Sequence, residues 1–98
     1  MNTKQLQSFV TVAKIHNIAE TAKILDYSPS TIHAHLSSLE EELECKLYRR
    51  LSSGIVLTEL GNQFLPYAED ILAKYNEAMQ MFSSSANFLR ITASETSD

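Results

Sequence analysis

Asn17-Ile18-Ala19-Glu20-Thr21-Ala22-Lys23-Ile24-Leu25-Asp26-Tyr27-Ser28-Pro29-Ser30-Thr31-Ile32-His33-Ala34-His35-Leu36 holds two helix starts on either side of one tight turn. Asn17 is a favoured N-cap, and Asn17-Ile18-Ala19-Glu20 reads as a capping box in which Glu20 reaches back to the cap amide. A short helix over 18–25 follows, with Ala19 and Ala22 small enough for a neighbouring helix to approach closely. Asp26-Tyr27-Ser28 is the turn. Ser28 is the second N-cap, and Pro29 suits the first helical position, where its missing amide is no loss. Ile32, Leu36, Leu39 and Leu43 recur at helical spacing and predict a helix from Pro29 to about Glu44. A short helix, a tight turn and an amphipathic helix with a polar outer face form the helix-turn-helix pattern.

Upstream, Thr3 is the expected N-cap of a first helix reaching about Lys14, with Leu6, Phe9, Val10 and Ala13 as its buried stripe. Downstream the period changes. Leu47-Tyr48-Arg49-Arg50-Leu51 and Ile55-Val56-Leu57 are strand-like and bracket Ser52-Ser53-Gly54, a hairpin turn, which makes a wing. Thr58 then caps a long helix from Glu59 to about Phe82, with a kink expected at the interior Pro66. Ser83-Ser84-Ser85-Ala86-Asn87 has linker composition, and Phe88-Leu89-Arg90-Ile91-Thr92 reads as the start of a strand. The expected fold class is mainly α: a winged helix-turn-helix, with a three-helix core and a two-stranded wing, followed by a long dimerisation helix.

Composition narrows the function. The chain has 98 residues, enough for one small domain with an appended element. It has no apolar run long enough to span a membrane and no secretion signal at its start. Its single cysteine, Cys45, cannot form an internal disulfide, which suits a reducing cytoplasm. Net charge is -4, yet Lys4, Lys14, Lys23, Lys46, Arg49 and Arg50 balance the acids of residues 1–58, so the acidity belongs to the back half. A neutral head that binds a polyanion must place its few basic groups well. No nucleophile-base pair, paired carboxylates, Gly-rich phosphate loop or metal-ligand cluster is present, so no catalytic site, metal or cofactor is expected. His33-Ala34-His35 is a poor metal pair, because residues two apart diverge on a helix.

A helical wheel of the third helix, with its leucine stripe inward, turns Ser30, Ala34, Ser37 and Glu41 outward. Thr31, His33 and Ser38 flank that face, and His35 falls nearer the core edge. Small uncharged groups would let the helix backbone sit deep in a major groove, with His33 as the one large reader. Glu40-Glu41-Glu42 would be repelled by phosphate, so entry is expected by the Ser28-Pro29 end, where the helix dipole favours anions. The expected DNA-binding set is therefore Ser28, Pro29, Ser30, Thr31, His33, Ala34, Ser37 and Ser38 from the helix. The wing adds Arg49, Arg50, Ser52 and Ser53. The same residues also fit a plainer account, in which the hydroxyls are a solvated surface and the arginines pair with nearby acids. Under that account the module docks a protein and binds DNA without preference.

The long helix carries Phe64, Ala68, Ile71, Leu72, Tyr75, Ala78, Met79 and Phe82, an apolar stripe too long for a three-helix core to cover. Packing on a further domain would cover it, as would self-association, and a two-fold pair would present two recognition helices to two half-sites. Those eight residues are the expected dimerisation set.

Leu6 and Phe9, the run Asn17–Leu25, Ser28 with Ile32, Leu39-Glu40-Glu41-Glu42-Leu43, Leu47-Tyr48-Arg49-Arg50, Leu57-Thr58 and Gly61 together resemble the N-terminal region of the LysR-type transcriptional regulators. The resemblance implies a winged helix-turn-helix at 1–58 with the two-helix motif at 18–37, and a linker and dimerisation helix at 59–84. It further implies a hinge and the start of an effector-binding domain at 85–98. The expected partners are double-stranded operator DNA and a second copy of the chain, in the bacterial cytoplasm at the nucleoid. A small-molecule inducer would act only through the downstream domain. Four positions depart from the family pattern: Pro29 and Ser30 replace Gln-Pro, Ala34 replaces a common arginine, and Glu44 stands where a glycine usually ends the helix.

Overall fold

A computed structural model describes the backbone of residues 1–95 and the side chains of residues 1–83. Three helices form the head: α1 (Thr3–Ile15), α2 (Ile18–Leu25) and α3 (Pro29–Leu43). An antiparallel hairpin of β1 (Tyr48–Leu51) and β2 (Gly54–Leu57) follows, with Arg49 opposite Val56 and Arg50 opposite Ile55. The chain then enters α4 (Glu59–Glu95). Leu6, Phe9 and Val12 of α1 meet Ile18 and Ala22 of α2 and Ile32, Leu36 and Leu39 of α3. Leu47, Ile55 and Ala68 close this core from the wing and from α4.

The caps at Ser28 and Thr58 are those expected. The Ser28 hydroxyl accepts the Thr31 amide at 3.2 Å, and the Thr58 hydroxyl accepts the Gly61 amide at 3.0 Å. Asn17 caps α2 by accepting the Glu20 amide at 2.8 Å. The capping box is half made, however, because the Glu20 carboxylate lies 3.8 Å from Lys23 Nζ, one turn onward. At α1 the cap is Asn2 rather than Thr3. Its side chain accepts the Gln5 amide at 2.8 Å while its carbonyl takes the Leu6 amide, and asparagine outranks threonine at this position.

The three head helices all end on a non-glycine residue in the left-handed region: His16, Asp26 and Glu44, at φ 64°, 62° and 55°. Glu44 takes up the geometry that a glycine would adopt without steric cost. Left-handed backbone strains an L-residue by about 1–2 kcal/mol, and glycine returns part of that gain as unfolded-chain entropy. Glu44→Gly is accordingly expected to stabilise the head by about 0.5–1 kcal/mol, read as a higher urea midpoint. A lower midpoint would show that the Glu44 side chain contributes more than its backbone strain costs.

Pro66 lies in the interior of α4, which is helical on both sides of it. One expectation for the back half changes. The expected linker and strand after Phe82 are instead helical to Glu95, with residues 96–98 outside the described residues. A strand must find a neighbour for its backbone groups, whereas a helix satisfies them within itself, and the only described sheet is the wing hairpin.

Candidate nucleic-acid interface

Three hydroxyls crowd the start of α3. Ser28 Oγ lies 3.1 Å from Ser30 Oγ and 3.0 Å from Thr31 Oγ1, and Pro29 fills the first helical position beside them. Ser28, Pro29 and Ser30 are exposed, as are Ala34, Ser37 and Ser38 further along; Thr31 and His33 are half-buried. The outer face of α3 is thus the one the wheel drew. His35 faces the other way: its Nδ1 lies 2.8 Å from the hydroxyl of the fully buried Ser8, and the Tyr27 ring meets it edge-on at 5.2 Å. It joins α3 to α1. Burial, and then the Lys4 charge, push its imidazole below the ordinary histidine value.

The wing is held by the corner between α1 and α2. The Ile55 amide donates to the His16 carbonyl at 2.9 Å, and His16 Nδ1 donates to the Ile55 carbonyl at 3.3 Å. Gly54 makes this approach possible: at φ 139° a Cβ there would stand 2.5 Å from the His16 oxygen. At the other end, Glu40 of α3 accepts the Leu47 amide at 2.8 Å and lies 3.6 Å from Lys46 Nζ. Glu40 therefore does not share the solvent-facing role expected of the Glu40-Glu41-Glu42 run. It is a buried carboxylate that ties α3 to the wing. Its position four residues after Leu36, on the edge of the inward stripe, is the sequence signal that marks it.

The strand register separates the two wing arginines. Arg50 stands opposite Ile55, which is buried against the head, whereas Arg49 stands opposite the exposed Val56. Opposed residues share a face, so Arg50 leaves the inner side of the hairpin and Arg49 the outer. Neither is in an ion pair with another described residue. A cleft of about 300 Å³ lies between the wing and α2, lined by Arg50, Ser52 and Ser53 with Asn17, Ile18 and Ala19. The first turn of α2 is a contributor that sequence reasoning missed, because only the fold brings it to the wing. Arg50 also acts on His33: burial first, and then the Arg50 charge, lower the His33 imidazole from its ordinary value.

The eight residues expected to pair two copies divide. Ala68 is fully buried in the chain's own core, Phe64 meets Phe9 with ring centroids 5.4 Å apart, and Leu72 packs on the same core. These three are occupied within the chain. Ile71, Tyr75, Met79 and Phe82 are exposed, as is Ala78, and Leu60 and Tyr67 continue that face toward the head. No described group of histidine, cysteine or acidic residues could hold a metal ion, and no described helix is long and apolar enough to cross a membrane.

Two helices across a three-residue turn, a third helix behind them and a two-stranded wing define a winged helix-turn-helix of the DNA-binding class. The sequence pattern described as "Bacterial regulatory helix-turn-helix protein, lysR family" matches residues 3–62. The chain belongs to the LysR family of bacterial regulators. It is 42% identical over 79 residues to the HTH-type transcriptional regulator CitR of Bacillus subtilis, covering 81% of this chain and 27% of that protein. With the regulator GltR of the same organism it shares 37% over 99 residues, or 98% of this chain and 33% of that one. The chain thus spans about a quarter to a third of the length of these relatives. Among solved structures, the CbnR DNA-binding domain in its DNA complex superposes with a TM-score of 0.80 at 34% identity. That match covers 88% of this chain and 99% of the other. The BenM DNA-binding domain on its catB site 1 DNA gives a TM-score of 0.81 at 27% identity, covering 88% and 97%.

Proposed function

We propose that this chain binds double-stranded DNA sequence-specifically as a homodimer in the bacterial cytoplasm, with α3 in the major groove and the wing on the backbone. The observation that carries this reading is the convergence of Arg50, Ser52 and Ser53 of the wing with the first turn of α2, beside an α3 face that is free of carboxylates until Glu40. The positive end of the α2 dipole, an unpaired guanidinium and two hydroxyls suit a phosphate. Exposed Ser30, Ala34 and Ser37 let α3 approach base edges, and half-buried His33 is the large reader among them. Residues 1–58 form the binding head, and α4 from Glu59 pairs two copies through Ile71, Tyr75, Ala78, Met79 and Phe82. A small-molecule inducer would act through the part of such regulators that lies outside the stretch matched here.

Binding of a labelled duplex, selected from random DNA, should weaken linearly with salt on logarithmic axes, by about -0.9 per phosphate neutralised. Arg50→Ala is expected to weaken all duplexes alike and to reduce that slope by about 1, whereas Arg49→Ala on the outer strand face does less. An affinity insensitive to ionic strength refutes the reading. Equal affinity for selected and random duplex would favour a protein-docking module instead. Light scattering tests the pairing: a monomer at tens of micromolar removes it.

A further inference from the structure

His16 ends α1 in the left-handed region at φ 64° and closes that helix by donating its amide to the Val12 carbonyl at 2.8 Å. Two further polar groups of this residue go to the wing. Its carbonyl accepts the Ile55 amide at 2.9 Å, and its ring Nδ1 donates to the Ile55 carbonyl at 3.3 Å. Both main-chain groups of Ile55 thus end on one residue of the head. Two bonds fix an orientation where one would leave a pivot.

What this fixes is Arg50. Ile55 is the strand partner of Arg50, and its side chain is buried against the head. Arg50 lines the cleft of about 300 Å³ together with Asn17, Ile18 and Ala19, the residues directly after His16. One residue therefore sets the span between the wall that carries the guanidinium and the wall formed by the first turn of α2. A hairpin with strands of four residues does not hold its shape unaided in water. We propose that His16, through its ring Nδ1–H, is the positioning residue for the wing's contact with a DNA phosphate, holding Arg50 where the guanidinium and the first turn of α2 reach the same phosphate. The inference rests on the DNA-binding reading above. His16 acts without touching DNA: it raises the fraction of free heads whose wing is already in the binding position, and apparent affinity scales with that fraction.

Three substitutions test this with a duplex selected from random DNA. Glycine takes the left-handed backbone freely but has no ring, so His16→Gly keeps the helix end and loses the Nδ1 bond. The amide nitrogen of asparagine takes the place of imidazole Nδ1, and asparagine tolerates the same backbone, so His16→Asn keeps both. His16→Gly is expected to bind about two- to tenfold more weakly, at a melting temperature within a few degrees of the parent. Its wing amides are expected to exchange faster in the free chain. His16→Asn is expected to bind as the parent does. In an Arg50→Ala chain the same glycine substitution is expected to cost much less, since the group it misplaces is gone. Parental affinity in His16→Gly overturns the proposal, as does an asparagine variant as weak as the glycine one. Losses from His16→Gly and Arg50→Ala that simply multiply also overturn it, and make His16 a stabiliser of the head alone. A parent chain that binds no duplex overturns the DNA-binding reading and this inference together.

Discussion

Gly61→Ala is expected to destabilise the head by about 3 kcal/mol or more, lowering the melting temperature by roughly 12 °C or more. On helix propensity alone the change should stabilise, since alanine is worth about 1 kcal/mol over glycine inside a helix. Contact decides the sign. An added Cβ would lie 2.0 Å from the Leu47 carbonyl oxygen and 3.0 Å from its carbon, and all the clashing atoms are backbone. No side chain can swing away to make room. The first turn of α4 must retreat, and with it go the Thr58 amide bond to Leu47 at 3.0 Å and the Thr58 hydroxyl bond to Lys46 at 2.7 Å. A melting temperature within a few degrees of the parent would mean that α4 shifts on the wing at little cost, contrary to this geometry.

Phe9→Ala should be of similar or greater size, about 3–5 kcal/mol, because it removes the largest fully buried side chain among the described residues. Phe9 lies where α1 meets α4, against Phe64, and loss of the tilted ring pair adds to the cavity. Small domains hold only about 5–15 kcal/mol in all, so the variant should sit near its unfolding midpoint at 37 °C. Urea denaturation measures the loss, and duplex binding should fall in parallel as the folded fraction falls. Phe9→Leu, which keeps most of the volume, should recover most of both. A Phe9→Ala chain as stable as its parent would show that α4 collapses into the space.

What could be read from the sequence was what local chemistry decides. Ser28-Pro29, Asn17 and Thr58 announce helix starts through their own hydrogen bonds, so three helix starts and the hairpin were legible with few shifts of boundary. The outer face of α3 was legible for the same reason, since one helix fixes which residues point together. What was not legible depends on contacts between distant segments. Arg49 and Arg50 are neighbours in sequence, and only pairing with Val56 and Ile55 sends one outward and one into the cleft. Phe64, Ala68 and Leu72 share a stripe with Ile71 and Tyr75, yet the head takes the first three for its own core. Glu40 looked like one acid of three until the Leu47 amide claimed it. The strand expected at residues 88–92 matched a pattern whose partner strand is not among the described elements.

The corner at His16 also bears on how the molecule assembles. A two-stranded ribbon of four residues a side is too small to hold together unaided in water. The hairpin's attachment to that corner joins residues 39 apart in sequence, so it closes only after the intervening helices have come together. The wing is therefore a dependent element of the head, because the bonds that hold it reach outside the hairpin to His16 and Glu40. A sequence change buried at the corner, nowhere near a base, would reach the tip of the molecule as surely as one in the hairpin itself.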